Sequence, residues 1–299
     1  MRKGKLPLIL IGCALAAVVL VAAHSLANRG EEWRVTDDGF LEYSAPSQKY
    51  NLREIEASND STLYETNFSS RGSEIKGLLR IPPGASDKAV AGVVLLPGAT
   101  VTKEREQGLA KHLADLGLAS LTLDQRNLGA IDVQGDLSMF SKGKEPTEHM
   151  MVHDALAAAE VLRKQPGIDP KRIVYAGESN GARFAIIACA LDPDARGVVA
   201  ISTCGYGTSD AFAKGLLSDP NQLRFYLSID PETYFSKIAP RKLVMIHSQN
   251  DTVVPYDLAL QTFAMASGPK VLHTVNCTTH GYCAGMKAFL DEELKKMVS

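Results

Sequence analysis

The chain of 299 residues has little cysteine, five residues in all, and only one tryptophan. A disulfide-dense scaffold is excluded by the first of these. With 24 Gly and 14 Pro it is neither collagen-like nor mucin-like, and no internal repeat or low-complexity tract interrupts it. It also lacks an excess of either charge, with Lys+Arg 32 against Asp+Glu 34. No basic surplus points to nucleic acid, and no acidic tail points to a basic partner. What is present is apolar side chain, at 45% of residues, enough to offset chain entropy and exclude global disorder. The length accommodates one large domain or two small ones.

Residues 1–27 differ from the rest. Arg2, Lys3 and Lys5 precede an uncharged run of 18 residues from Leu6 to Ala23. That run falls between the h-region of a signal peptide and a spanning helix. Val21 with Ala23, or Ser25 with Ala27, would make a small-residue cleavage site. Leu10-Ile11-Gly12-Cys13 imitates a lipobox, but the residues after Cys13 stay apolar where a polar tether is wanted. The expectation is an exported protein, membrane-anchored with an extracytoplasmic catalytic domain, or secreted if the segment is cleaved. The membrane is a partner only through this segment.

Residues 28–60 are polar with scattered aromatics and no sustained period. They read as a connecting arm that partly packs on the domain at 61–299. From Ser61 a rhythm begins. Leu63–Phe68 and Ile75–Ile81 read as a hairpin around Ser69-Ser70-Arg71-Gly72-Ser73. Val90–Leu96 is a continuous apolar run, as a strand covered on both faces requires. Helical and strand-like patterns then alternate to the C-terminus, the signature of βαβ crossovers. The expected fold is α/β: an eight-stranded, mostly parallel sheet with helices on both faces. Two longer connections interrupt it, Asp124–Thr147 and Thr203–Pro240, and a short cap insertion is placed at about 205–239.

Gly177-Glu178-Ser179-Asn180-Gly181 carries the chemistry. It joins the strand-like Arg172–Ala176 to a helix beginning near Ala182, the setting a G-x-S-x-G elbow demands. A nucleophile on so tight a turn takes a strained backbone, and the residues two before and two after it must be small. The turn lifts the Ser179 hydroxyl out of the sheet toward a helix N-terminus, which favours developing negative charge. A serine hydroxyl needs a base, and the base needs an orienting carboxylate. Asp251, in His247-Ser248-Gln249-Asn250-Asp251, and His280, in Thr278-Thr279-His280-Gly281, each follow a strand. In a parallel sheet such strand ends share one edge.

On these residues, from about Ser61 onward, the chain resembles the α/β-hydrolases. The resemblance extends to their serine-esterase and dienelactone-hydrolase-like members and to prolyl-oligopeptidase-like hydrolase domains. It implies Ser179 as nucleophile, His280 as base and Asp251 as acid, with no cofactor and no metal. It also implies an oxyanion hole from the backbone N–H groups of Ala99 and Asn180. In Leu96-Pro97-Gly98-Ala99-Thr100, Pro97 stands where the family usually has His. Asp124-Gln125-Arg126-Asn127-Leu128-Gly129 resembles a structural turn of the family, with Asn127 replacing a Gly.

Other residues have plainer readings. His149 and His153 sit four apart on a helix without a third ligand, and read as a solvated face rather than a metal site. His247 reads as a structural histidine holding the acid loop, and His273 as a packed or edge-facing imidazole. Glu178 is free to touch substrate or pair with a cation. Asp230 and Asp257 are alternative acids, Asp257 reading better as a helix-start carboxylate. Cys277 and Cys283 bracket His280 and can bridge, with Cys204 as rival partner and Cys189 buried. The expected function is serine hydrolysis of a carboxylic ester through an acyl-enzyme, on a small-molecule ester or acyl substrate. Phe225 and Tyr226 in the insertion would line its pocket. The alternatives are a peptidase of prolyl-oligopeptidase type, for whose propeller the 28–60 arm is too short, and a catalytically silent hydrolase-fold binding protein.

Overall fold

The computed structural model describes residues 33–44 and 49–299. The expected signal or anchor segment, residues 1–27, lies outside the described residues. Among the described residues no helix is long and apolar enough to cross a membrane.

A short antiparallel hairpin comes first, β1 (Trp33–Val35) with β2 (Leu41–Tyr43). A nine-stranded sheet follows. Its antiparallel edge is β3 (Tyr50–Ala57), β4 (Thr62–Ser70) and β5 (Ser73–Ile81). Its parallel body is β6 (Val90–Leu96), β7 (Ala119–Leu123), β8 (Ile168–Glu178), β9 (Ala195–Ile201), β10 (Lys242–Ser248) and β11 (Lys270–Val275). The spatial order is β11-β10-β9-β8-β6-β7-β5-β4-β3, with β5 antiparallel to β7. The order reverses beside β6 and β8, where an open α/β sheet leaves a crevice at its carboxyl end.

The α/β sheet expected from the sequence is present, with one strand more than the eight counted. The ninth, β3, comes from the stretch read as an arm. Seven of its eight residues are exposed, so no buried face imposes a period of two. Its charges guard an open edge, and Arg53 pairs across the ladder with Glu65 at 2.6 Å. The inner strands are the opposite case. Helices cover both faces, and β6 is buried from Ala91 to Leu96.

One apolar layer packs under α3 (Thr147–Arg163) and α4 (Asn180–Leu191), which present runs such as Ala157-Ala158-Ala159 and Ile186-Ile187-Ala188 to the sheet. The layer on the other face lies under α1 (Gln107–Asp115) and the last helix, Lys287–Val298, around Leu109, Leu113, Leu290 and Leu294. Between α1 and α3 the chain forms α2 (Val133–Ser141), whose Asp136 accepts the N–H groups of Thr147 and Glu148 at 2.9 and 3.0 Å and so caps α3.

The insertion at 205–239 forms α5 (Thr208–Ala213), α6 (Pro220–Ile229) and a short helical turn, Phe235–Ile238. Asp230 holds it together by accepting N–H groups of Tyr206, Thr208 and Glu232, so that carboxylate is spent on the cap. Arg183 of α4 ties the cap down, pairing with Glu148 at 2.6 Å and donating to Ile229 O at 3.0 Å. The β1–β2 hairpin closes over the same region: Leu41 N donates to Tyr234 Oη at 3.0 Å, and Arg224 to Val35 O at 2.7 Å.

This covering corrects the reading of His149 and His153 as a solvated face. Both are fully buried. The Ser228 hydroxyl donates to Phe225 O, so it accepts from His149 Nε2 at 2.7 Å. His153 Nδ1 meets Ser70 Oγ at 2.8 Å. Burial lowers both imidazoles, to about 3 for His149 and about 4 for His153, and keeps them neutral. Among the described residues no group of His, Cys, Asp and Glu could hold a metal ion.

The neutral His149 has a consequence for acid stability. Above the ordinary value of 6.5 its folded and unfolded forms bind no proton; below it only the unfolded form does. Stability is therefore lost as pH falls, by about 2 kcal/mol at pH 5 from this group alone. His149→Gln keeps a donor for Ser228 and cannot titrate in this range. Its urea-unfolding free energy should fall less than that of wild type between pH 8 and pH 5, and equal losses would contradict this account.

Candidate active site

The site lies where β8 passes into α4. Ser179 has φ 53° and ψ −120°, a conformation L residues take only when their surroundings enforce it. Two glycines make the enforcement possible. A Cβ on Gly177 would stand 2.6 Å from the Gly181 carbonyl carbon, and one on Gly181 would stand 2.3 Å from both Leu96 O and Pro97 O. Those partners are backbone and cannot yield. Ser179 N donates to Ile201 O at 2.9 Å, which anchors the turn to β9.

Asp251 and His280, expected as acid and base, are brought together. His280 Nδ1 lies 2.9 and 3.1 Å from the two oxygens of Asp251. Asp251 also accepts Val253 N at 2.9 Å and Val254 N at 3.0 Å. Burial alone would push this carboxyl up. The hydrogen bonds from His280 and from Val254 and Val253 outweigh it, and the carboxyl sits below its ordinary value. An ionised Asp251 accepts, so His280 Nδ1 donates and Nε2 is left bare, the tautomer a general base needs. His247 is buried with Nε2 on Val254 O at 2.9 Å, holding the acid loop from beneath. His273 stacks on Phe289, with ring centroids 4.4 Å apart.

The base loop is fixed at several points. Cys277 and Cys283 form a disulfide around His280, while Cys189 and Cys204 are free. Ser248 Oγ donates to Cys277 O, and Ser202 Oγ donates to Gly281 O at 3.4 Å. Glu178, beside the nucleophile, accepts Tyr282 N at 3.1 Å, and a Cβ on Gly281 would stand 2.5 Å from its Oε2. The sequence offered Glu178 a substrate or a cation; the structure gives it the backbone of the base loop. Burial raises the Glu178 carboxyl, opposed by the Tyr282 N–H and by Glu106, just ahead of α1. Sequence reasoning missed Glu106 because an isolated carboxylate at a helix start looks ordinary.

The loop expected to carry an oxyanion donor runs alongside. A Cβ on Gly98 would meet Ser179 Cβ at 3.4 Å, so the loop backs directly onto the nucleophile. Gln125 Nε2 donates to Pro97 O at 2.7 Å and Thr100 N to Leu128 O at 2.7 Å, which brace it from the neighbouring turn. Ala99 lies between these braces, partly exposed. Asn180 begins α4, and its side chain donates to Gly129 O at 3.2 Å. In that same turn Arg126 forks onto Asp154 at 2.7 and 3.0 Å, a link to α3.

The expected pocket residues divide. Phe225 is fully buried, packed on Phe140 at 5.6 Å and on Tyr226 at 5.4 Å between ring centroids. These contacts lie on the docked face of the cap, toward Phe140 and His149. Tyr226 is half-buried beside it. Ser179, Asn180 and His280 keep partial exposure, and Leu216 of the cap is 79% exposed, so the cap leaves the nucleophile accessible.

The acetyl xylan esterase (AXE1) family profile matches residues 37–206, and the prolyl oligopeptidase family profile matches residues 139–281. Among curated proteins, the uncharacterized protein YfhR of Escherichia coli O157:H7 is 24% identical over 189 residues, 63% of this chain and 62% of its own length. The match thus spans under two thirds of that relative. Acetyl xylan esterase 1 from Thermoanaerobacterium sp. JW/SL YS485 superposes with a TM-score of 0.67 at 15% identity, covering 85% of this chain and 89% of its own. The acetyl xylan esterase from Paenibacillus sp. R4 gives 0.69 at 15% identity, covering 84% and 89%. At this identity the superpositions show a shared α/β-hydrolase fold.

The glycine contacts predict a sharp contrast. Gly181→Ala should destabilise by roughly 3 kcal/mol, because its Cβ meets immovable carbonyls. Gly108→Ala, in α1 with nothing within 4 Å, should stabilise by up to about 1 kcal/mol. Urea-unfolding midpoints of the two variants check this, and a neutral Gly181→Ala would contradict the packing described.

Proposed function

Because the chain belongs to the acetyl xylan esterase (AXE1) family, we propose that it is a serine carboxylesterase acting through Ser179, His280 and Asp251. The observation that carries this reading is the Asp251–His280 pair, with the base in its working tautomer, on the same sheet edge as the strained Ser179 turn. His280 Nε2 takes the proton of the Ser179 hydroxyl as its oxygen attacks the ester carbonyl. Asp251 holds the ring and balances the imidazolium. The N–H groups of Ala99 and Asn180 receive the oxyanion. The tetrahedral adduct expels the alcohol, which leaves with the proton from His280. Water then enters through the same base and releases the acid from the acyl-enzyme.

Substrate size follows from the cover. A cap docked by Phe225 and Arg183, with the nucleophile partly exposed, suits a small acyl group on an alcohol that projects into solvent. The two superposed acetyl xylan esterases are named for an ester of such a small acyl group. A second reading rests on the prolyl oligopeptidase match, whose 139–281 range contains the nucleophile, acid and base. It makes the substrate an amide and leaves the triad the same.

Two chromogenic substrates separate the readings. We expect turnover of p-nitrophenyl acetate and little of an aminoacyl p-nitroanilide; the reverse order would favour the peptidase. Ser179→Ala should lower esterase kcat on the order of 10⁴-fold or more, and His280→Ala by a similar factor. Asp251→Ala should cost less, since a free imidazole still samples the right tautomer. Double variants should lose no more than the worse single one. Full activity in Ser179→Ala would remove the proposed site.

A further inference from the structure

Asp251 is buried, but the turn that carries it past β10 is not. Thr252, Val253 and Pro255 are exposed and Val254 is half-buried. Among the described residues, the hydrogen bonds of the stretch 252–254 are few. Val253 N and Val254 N donate to Asp251 Oδ1 at 2.9 and 3.0 Å, which holds the carboxylate to the turn. Val254 O accepts from His247 Nε2 at 2.9 Å, which holds the turn to the sheet. Pro255 has no N–H with which to add another. Apart from the His247 bond, the stretch is joined to the sheet only through its chain ends.

His247 stands on β10, four residues before the acid, and is fully buried. Its Nε2 faces two acceptors, Val254 O and, beside it at 3.7 Å, Asp251 Oδ2. Its Nδ1 is buried without a partner. Burial lowers the imidazole and keeps it neutral, so the ring has one N–H, and that N–H belongs on Nε2. Oδ2 is also the oxygen that lies 2.9 Å from His280 Nδ1. The carboxylate thus stands between two imidazoles, a buried one behind it and the half-buried base in front.

We propose that His247 is a positioning residue: its Nε2–H, acting through Val254, fixes the Asp251 carboxylate at the place where His280 needs it. The inference rests on the reading of Asp251 and His280 as acid and base. Without the His247 donor, Val254 O loses its tie to β10 and the exposed turn is free to shift. Oδ1 moves with the two N–H groups that hold it, and Oδ2 is carried away from His280 Nδ1. The base then loses the acceptor that selects its tautomer. A residue that only filled space beside Tyr256, whose ring centroid is 6.0 Å away, would be replaceable by any side chain of like volume. A positioning residue is replaceable only by one that puts an N–H at the place of Nε2. The amide nitrogen of Gln reaches that place; the shorter amide of Asn ends near the place of Nδ1.

The test compares three variants on p-nitrophenyl acetate, with Ser179→Ala as the blank. His247→Leu keeps the bulk and removes the donor; His247→Asn keeps an amide but not the reach. Both should lower kcat by roughly tenfold to a hundredfold, the scale of a small misplacement, with KM little changed. His247→Gln should recover most of kcat. If His247→Leu does not fold, His247→Asn carries the comparison. Proton NMR supplies a second readout: the low-field signal of the His280 Nδ1 proton, held by Asp251 in wild type, should be lost in His247→Asn and kept in His247→Gln. A kcat lost equally in the Asn and Gln variants, or kept in both, would overturn the inference while Ser179→Ala stays inactive. So would a loss confined to KM with the low-field proton intact. An active Ser179→Ala would overturn the reading beneath it as well.

Discussion

The structure depends on one steric constraint, the close approach of β8, β6 and α4 around Ser179. The nucleophile sits at φ 53° because the chain reverses from strand to helix within a few residues. The reversal closes only where Gly177 meets Gly181, and Gly181 meets the carbonyls of Leu96 and Pro97. A strained conformation of this sort costs of order 1–3 kcal/mol and persists only where its surroundings are rigid. Here rigidity comes from the two apolar layers, from Ser179 N on Ile201 O, and from the carbonyls packed above. The same crowding brings Gly98 against Ser179, so the turn that exposes the nucleophile also sets the loop proposed to receive the oxyanion.

Much of this was legible in residue order. Apolar runs such as Val90–Leu96 marked strands covered on both faces, and the two glycines around Ser179 marked the turn by sterics. Asp251 and His280 were legible because strand ends of a parallel sheet converge, and they do meet, at 2.9 Å. What was not legible has a common cause: it depends on segments distant in sequence folding back. His149 and His153 looked solvated because nothing in their own helix announces that Trp33, Tyr43 and the 205–239 insertion cover them. Strand β3 carried no period because an exposed edge buries neither face. The burial of Phe225 was not legible for the same reason, since its partner Phe140 lies 85 residues earlier in the chain.

The charged interior shows how the fold meets its costs. Arg183 and Glu148 are buried together, and the same Arg183 Nη2 that meets Glu148 also donates to the cap carbonyl of Ile229. Arg163 and Tyr175 converge on Asp192 at 2.6 and 2.8 Å in a similar way. At the nucleophile the solution differs. The carboxyl of Glu178 lies partly buried there with the Tyr282 N–H on it at 3.1 Å.

The central claim is that Ser179 is the nucleophile and His280 its base. Covalent labelling tests it without a choice of substrate. A fluorophosphonate, followed by proteolysis and mass spectrometry, should modify the folded protein on the peptide containing Ser179 and no other serine. Labelling should be far slower in His280→Ala, where the hydroxyl keeps its proton. A label on a different serine, or an undiminished rate in His280→Ala, would contradict the account.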